Sequence, residues 1–238
     1  MTIRDNINKV KEQIARACHI SGRDPEEVEI VAVSKTVQVN RIKEAISAGI
    51  RRIGENRVQE AWQKFNLLQE PVKWHLVGHL QTNKVKKALE FIDIVESVDS
   101  LHLAQEINRR AESLKNKVKI FVQVNTSGEA SQFGIAPEKT VDFVAQLSEM
   151  SCLEIKGLMT IAPFVENQKE IRASFRLLRE LKEKANALKI VNLYLQHLSM
   201  GMTNDFEIGV QEGATMVRIG RAIFGEREDL STKSMLSR

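Results

Sequence analysis

The sequence predicts an α/β protein, a (β/α)8 TIM barrel that has one extra N-terminal helix and forms a single domain. Short apolar runs rich in Val, Ile or Leu alternate with longer helical patterns along all 238 residues. Strict alternation of strand and helix indicates a parallel sheet covered on its outside by helices. No stretch rich in Pro, Gly or Ser divides the chain, so we expect one domain over residues 1–238.

The predicted strands share a content of branched apolar residues that is typical of buried strands. They cover residues 29–35, 51–56, 73–79, 94–98, 119–124, 154–161, 194–200 and 215–220. Apolar residues recur at helical spacing in the segments between them, over 39–48, 100–114, 137–150 and 167–188. Asp99-Ser100 and Asn204-Asp205 are predicted N-caps of the helices that follow them.

The chain also begins with an amphipathic helical pattern, at about residues 2–20, which we expect to cap one end of the barrel. The barrel itself is predicted over about 28–226, with a short C-terminal tail after it. A doubly wound open sheet is the alternative fold. No GxGxxG sequence follows an early strand, and eight is the number of strands that closes a barrel of this type, so the closed form is favoured.

Composition excludes several classes of protein. The net charge is only +4, and the densest basic run, KVKK at 84–87, is shorter than the blocks that mark nucleic-acid-binding tails. Cys18 and Cys152 lie far apart without CxxC spacing, which supports neither a disulfide framework nor a zinc site. No signal peptide or membrane-spanning run is present. We therefore expect a cytoplasmic protein that binds neither nucleic acid nor membrane.

The polar residues of the predicted barrel collect at the carboxyl ends of its strands, where functional groups of such barrels lie. Alternation along the strands places these residues at the mouth of the barrel: Lys35, Asn56, His79, Ser199 and Arg218. The set holds two cations and no acid, so Lys35 is expected to be a neutral, nucleophilic amine that can form a Schiff base with a carbonyl compound. Taken singly, each of these residues is more often structural.

The loops after the seventh and eighth strands predict an anion site. The segment 199–204 supplies a hydroxyl, a glycine and a helix start, and Gly220 and Arg221 begin the last helix. Phosphate groups commonly bind at these two loops of a barrel, because backbone N–H groups converge there. A carbonyl site opposite a phosphate site describes a small phosphorylated aldehyde, of which pyridoxal 5′-phosphate is the commonest cofactor.

Several motifs then match one family in order, from near residue 5 to about residue 226. VAVSKT, GENRVQE, WHLVGHLQTNK, VNTSGEASQFG, GLMTIAP and LSMGMTNDFEIGVQEGATMVRIGRAIFG resemble the pyridoxal-phosphate homeostasis protein family, a single-domain relative of the barrel half of alanine racemase. The resemblance implies a Schiff base on Lys35, Arg218 facing the pyridine nitrogen and Asn56 beside the ring. It implies a phosphate surrounded by the Ser199 hydroxyl and by backbone amides at Met200, Gly220 and Arg221.

The same resemblance implies a mostly monomeric protein that influences vitamin B6 and amino-acid pools by binding the cofactor and passing it on. Apo-enzymes that depend on pyridoxal phosphate would be the recipients. An arginine at the ring nitrogen stays charged and cannot take up the proton that makes the cofactor a strong electron sink, which leaves racemisation as the one plausible amino-acid reaction.

Racemisation needs a base on each face of the cofactor, and in alanine racemase the base opposite the lysine is a tyrosine from a partner subunit. Tyr194, the one tyrosine, begins the seventh strand at the wrong end of the barrel. We therefore expect little or no turnover. The alternative is an amino-acid racemase of the alanine-racemase type whose second base is unidentified, with His79 or a water as candidates. A third hypothesis is a scaffold that binds another protein and uses the cofactor as a sensor.

Overall fold

The computed structural model describes residues 1–191 and 193–226, and its centre is a closed barrel of parallel strands. Each strand pairs with the next one in the chain, and the last strand pairs with the first, with Val31 opposite Arg218. The strands are β1 Glu29–Val33, β2 Arg52–Glu55, β3 Lys73–Leu76, β4 Ile94–Val98, β5 Val118–Gln123, β6 Leu153–Met159, β7 His197–Ser199 and β8 Met216–Ile219. The predicted barrel is confirmed, and the open-sheet alternative is wrong.

The helices alternate with these strands and cover the outside of the barrel. They are α1 Ile3–Ser21, α2 Val39–Ser47, α3 Val58–Leu68, α4 Val85–Ala88, α5 Leu101–Ser113, α6 Thr140–Ser148, α7 Gln168–Ala187, α8 Phe206–Gln211 and α9 Arg221–Phe224. Ser100 caps α5 as predicted, because its hydroxyl accepts a hydrogen bond from the Leu103 N–H. Asp205 holds the N-cap position of α8 as predicted, although its carboxylate accepts from the Met202 N–H and not from an amide of the helix.

The core has two layers, which follow from the alternation of side chains along each strand. Residues such as Ala32 and Ile53 pack between the strands and the helices, in the larger layer. A smaller layer fills the inside of the barrel and contains Val31, Val77, Phe121, Met159 and Met216. Val31, Val77 and Met216 therefore point into the barrel. Val33 and Arg218, two positions further along β1 and β8, point to the same interior, closer to the mouth.

The N-terminal helix does not cap an end of the barrel, and that prediction is wrong. Helix α1 packs against α2, α8 and α9, on the side where the first and last units of the barrel meet. The Asn6 side chain donates a hydrogen bond to the Ile223 carbonyl at 2.9 Å, and Gln13 donates to the Glu207 carboxylate at 2.9 Å. The apolar stripe of α1, which includes Ile7 and Val10, is buried along this seam.

A cluster of arginines around Glu212 ties α7 to the end of α8. Arg172, Arg176 and Arg179 of α7 lie 2.9, 3.3 and 3.1 Å from the Glu212 carboxylate. Burial acts to raise the pKa of Glu212, but the hydrogen bonds from Arg172 and Arg176 and the charges of the arginines outweigh it and lower the pKa below its usual value. The ionised carboxylate is therefore the form that the fold stabilises.

Replacing Glu212 by glutamine is expected to lower the free energy of unfolding by about 2 kcal/mol at neutral pH, since bonds to a charged acceptor are lost. The folded pKa of Glu212 lies below the unfolded one, so its stabilisation is present above the unfolded pKa and disappears as the pH falls through the folded pKa. Urea unfolding at pH 7 and at acid pH measures both effects. Glu183→Gln is the matched control, because Glu183 is exposed and its pair with Arg179 is weak. Equal losses in the two variants would contradict the prediction.

Candidate functional site

Lys35 lies at the carboxyl end of the barrel, two residues after β1 ends, and its side chain is half-buried. Because β1 is the neighbour of β8, Lys35 leaves the barrel beside the strand that carries Arg218. The structure thus places the two predicted cations on neighbouring units of the barrel, with Arg218 opposite Val31 and therefore deeper than Lys35. They lie on adjacent strands, one at the rim and the other further inside.

Arg218 is buried inside the barrel, with 4% of its surface exposed. Its guanidinium donates one hydrogen bond to the Ser199 hydroxyl at 2.7 Å and another to the Thr160 carbonyl at 2.6 Å. Burial lowers the pKa of Arg218, while the charges of Glu96 and Asp205 act to raise it. An arginine nevertheless remains charged at any ordinary pH, so the barrel interior contains a fixed cation with a fixed orientation.

Glu96 of β4 is an acid inside the barrel that the sequence analysis missed. One oxygen accepts a hydrogen bond from the Ser199 hydroxyl at 2.5 Å, and the other lies 2.5 Å from Nδ1 of His75. Burial acts to raise the pKa of Glu96, but the hydrogen bond and charge of His75, and then Arg218 and Ser199, lower it below its usual value. The prediction that no acid lies near Arg218 is wrong, and the argument from it for a neutral Lys35 loses its support.

The Ser199 hydroxyl and the Met200 amide make hydrogen bonds within the barrel, and the phosphate contacts predicted for them stay predictions. The buried Ser199 hydroxyl accepts a hydrogen bond from Arg218 and donates its one hydrogen to Glu96, both inside the barrel. The Met200 N–H donates to the Met216 carbonyl at 3.1 Å as part of the link between β7 and β8. In this structure both residues join β7 to the strands around it.

Gly220 and Arg221 lie where the sequence predicted, at the start of the last helix. Gly220 is the N-cap residue of α9, and Arg221 is its first residue. The first N–H groups of a helix have no acceptor within the helix. A Cβ at Gly220 would lie 3.2 Å from the Val33 carbonyl oxygen, so the glycine lets this loop approach the end of β1 closely.

Asn56 follows β2 at the same end of the barrel and is half-buried. Gly78, at the end of β3, packs directly on its backbone, and a Cβ there would lie 2.4 Å from the Asn56 carbonyl oxygen. Gly54 belongs to the inward face of β2, where a Cβ would meet Val31 at 2.9 Å and Val33 at 3.3 Å. Close backbone packing therefore sets the position of Asn56.

His79 is an exposed residue of the same rim. Its Nδ1 lies 2.9 Å from the Asp99 carboxylate, and its ring stacks on Phe133 with 4.1 Å between the ring centroids. Asp99 and Phe133 were not predicted to belong to the mouth. Tyr194 lies at the opposite end, where it borders a cavity with Arg23 and Thr215, as its position before β7 predicted.

The donor groups at the mouth fit a phosphorylated aldehyde with an aromatic nitrogen. Lys35 supplies an amine, Arg218 a guanidinium, and the Gly220–Arg221 turn the start of a helix. Within the barrel, Nε2 of His75 is buried and has no hydrogen-bond partner among the described residues. The interior therefore contains a ring nitrogen that can still make a hydrogen bond. Among the described residues, no three His, Cys, Asp or Glu side chains are grouped as metal ligands, and no helix has the length and apolar content needed to cross a membrane.

Comparison with known proteins found relatives over nearly the whole length of this chain. The family model described as alanine racemase, N-terminal domain, matches residues 2–228. A pyridoxal phosphate homeostasis protein of Aquifex aeolicus is 39% identical over 96% of this chain and 100% of its own length. A protein with the same name from Pseudomonas aeruginosa is 40% identical over 95% of this chain and 96% of its own. The structure of PipY from Synechococcus elongatus with PLP bound is 37% identical, has a TM-score of 0.76, and covers 90% of this chain and 100% of that one.

Proposed function

Since the chain belongs to the pyridoxal phosphate homeostasis protein family, we propose that it binds pyridoxal 5′-phosphate at the mouth of its barrel and acts in intracellular vitamin B6 and amino-acid homeostasis. The observation that carries the proposal is the adjacency of β1 and β8, which places Lys35 at the rim of the barrel and Arg218 on the neighbouring strand below it, opposite Val31. PipY, whose barrel superimposes on this one, has the same cofactor bound.

In this proposal the Lys35 amine attacks the aldehyde carbon, a C=N bond forms, and the aldehyde oxygen leaves as water with the two amine protons. Arg218 faces the ring nitrogen and Asn56 lies beside the ring. The amides of Gly220 and Arg221 bind the phosphate, because they begin a helix that lies close beside the end of β1. Ser199 holds the Arg218 guanidinium in place.

We further propose that the protein has little or no catalytic turnover. Bound pyridoxal phosphate supplies an electron sink that is strongest when its ring nitrogen is protonated. Arg218 keeps its own protons and cannot accept one from that nitrogen, as an acidic partner would. Tyr194, at the other end of the barrel, cannot reach the mouth to act as a second base.

One observation favours the alternative of an amino-acid racemase with a second base. His79 and Asp99 form a hydrogen-bonded pair on the rim, and a carboxylate at Nδ1 leaves Nε2 of the imidazole available as a base. Incubation of the loaded protein with single L-amino acids, followed by chiral chromatography, separates the two functions. We expect no catalytic formation of D-isomer. D-isomer that forms repeatedly and is lost in His79→Asn would establish the racemase instead.

The finer parts of the function belong to the same proposal. We propose a monomer that works in the cytoplasm and delivers the cofactor to apo-enzymes that depend on pyridoxal phosphate. Cys18 and Cys152 are both free thiols, which suits a reducing compartment. Size-exclusion chromatography with light scattering tests the monomer.

Delivery is tested by mixing the loaded protein with an apo-enzyme in the presence of a scavenger for free pyridoxal phosphate. Activation of the apo-enzyme that continues with the scavenger present is expected for direct transfer. If the scavenger abolishes activation, the protein only releases its cofactor into solution, and the delivery proposal fails while the binding proposal stands.

A further inference from the structure

A group of two buried and one partly buried charged side chains lies beneath the turn that carries Lys35. It consists of Glu55 at the end of β2, and Glu60 and Lys64 on α3, and we call it the Lys64 cluster. The Lys64 side chain is 8% exposed and that of Glu55 is fully buried. Lysine and glutamate are seldom buried to this extent unless they are paired and hydrogen-bonded. Removing their charges from water costs free energy, so the groups that they contact indicate a function of the cluster in the protein.

All three hydrogens of the Lys64 ammonium have an acceptor nearby. Its Nζ lies 2.6 Å from the Ser34 carbonyl oxygen, 2.6 Å from Glu55 Oε1 and 2.7 Å from Glu60 Oε1. An ammonium group has three N–H donors, so these contacts use its full capacity. Lys64 is thereby directed at the main chain immediately before Lys35 and has no donor left for any other ligand.

The other side of Lys35 is bound by the same cluster. The Thr36 N–H donates to Glu60 Oε1 at 2.6 Å, and the Ser34 hydroxyl donates to Glu55 Oε1 at 2.5 Å. Thr36 has a φ of 65°, a left-handed conformation that residues other than glycine rarely adopt. A residue in such a conformation persists when the surrounding contacts fix it. The two residues that flank Lys35 are thus both held by one buried group.

The charges within the cluster are uneven. Burial raises the pKa of Glu55 despite the charge and hydrogen bond of Lys64, which act to lower it. For Glu60, burial acts to raise the pKa, but the hydrogen bonds from Lys64 and from the Thr36 N–H lower it overall. The cluster therefore favours the ionised form of Glu60, and the carboxylate of Glu60 binds the Thr36 amide.

We propose that Lys64 is a positioning residue for Lys35: through Ser34, and through Glu60 and Thr36, it fixes the direction in which the Lys35 side chain enters the mouth of the barrel. This inference rests on the proposed Schiff base at Lys35. Lys64 does not touch the cofactor. Its role is to restrict the turn to one conformation before the cofactor arrives, so that the amine meets the aldehyde carbon without a search over backbone states.

The test compares Lys64→Met with Lys43→Met, since Lys43 is an exposed lysine of α2 and its loss changes the net charge equally. Absorbance titration with pyridoxal 5′-phosphate gives the dissociation constant at a temperature where circular dichroism shows every variant folded. We expect a loss of affinity of about tenfold for Lys64→Met and none for Lys43→Met.

Borohydride reduction and peptide mass spectrometry then locate the cofactor. We expect the label to stay on Lys35 in the parent protein and to spread to other lysines in Lys64→Met.

Variants at Glu60 provide a second test, which can still be carried out if Lys64→Met does not fold. Glu60→Gln retains a side-chain oxygen for the Thr36 N–H, whereas Glu60→Ala does not, so Glu60→Gln should bind the cofactor more tightly than Glu60→Ala. The inference fails if Lys64→Met matches the parent in affinity and labelling, or if the two Glu60 variants are equal. A parent protein that takes no label at Lys35 would instead overturn the proposed function.

Discussion

Replacing Lys35 by alanine is expected to abolish the Schiff-base absorbance band of the protein loaded with pyridoxal 5′-phosphate. The amine is the group that forms the covalent bond in the proposed site, and its neighbour Arg218 cannot replace it, because a guanidinium stays protonated and is not a nucleophile. Phosphate and ring contacts would remain, so weak noncovalent binding should persist. We expect the dissociation constant to rise by at least about a hundredfold, equivalent to roughly 2.8 kcal/mol.

Lys43→Ala is the matched control for this prediction, because it removes an exposed lysine close in the chain and should leave the band unchanged. Equilibrium dialysis measures the residual affinity, and thermal unfolding without cofactor shows whether both variants are folded. A band of undiminished intensity in Lys35→Ala would show that another amine binds the aldehyde, and the proposed site would be wrong.

Replacing Arg218 by methionine is expected to destabilise the protein by about 3 kcal/mol, because a buried carboxylate loses a nearby cation. Arg218 contacts Ser199, whose hydroxyl bonds to Glu96, so its removal leaves the negative charge of Glu96 with His75 as its main partner. For a chain of this length the melting temperature should fall by roughly 6–12 °C. Arg109→Met is the control, since Arg109 lies in an exposed ion pair on α5 whose loss should have little effect.

Adding Glu96→Gln to Arg218→Met tests the reason for the loss. If the cost comes from an uncompensated carboxylate, the double variant should be more stable than the sum of the two single changes predicts. Strict additivity would show that Arg218 and Glu96 are not coupled. In the loaded protein, Arg218→Met should change the absorbance spectrum of the ring more than the affinity, since Arg218 faces the ring nitrogen in the proposed site.

Much of the fold could be predicted because each strand is a run of branched apolar residues between polar segments. The strand predicted over 94–98 coincides with β4 Ile94–Val98, whereas the one predicted over 194–200 shortens to β7 His197–Ser199. The sequence did not predict which part of the barrel α1 packs against. An amphipathic stripe shows that one face is buried, but not which helices bury it.

The candidate site could be predicted in part, because alternation along β1 and β8 locates Lys35 and Arg218. Glu96 was missed, although a carboxylate in the middle of the apolar strand IVESV is a signal for a buried polar partner. Lys64 was missed too, although it lies on the buried stripe of α3 with Ala61 and Leu68. The Ser199 hydroxyl bonds to Glu96 on β4, and the Met200 amide bonds to Met216 on β8. One sequence does not reveal such contacts between strands.

The seam beneath α1 has a consequence for how the protein matures during synthesis. Helix α1 can meet α2 early, but Asn6 bonds to Ile223, so α1 completes its packing against α8 and α9 only after those late segments have been synthesised. Ring closure between the first and last strands waits for the same moment, and contacts so distant in the chain form slowly. A nascent chain therefore has Lys35 long before it has the strand that carries Arg218, and the proposed site can form only after β8 has been synthesised.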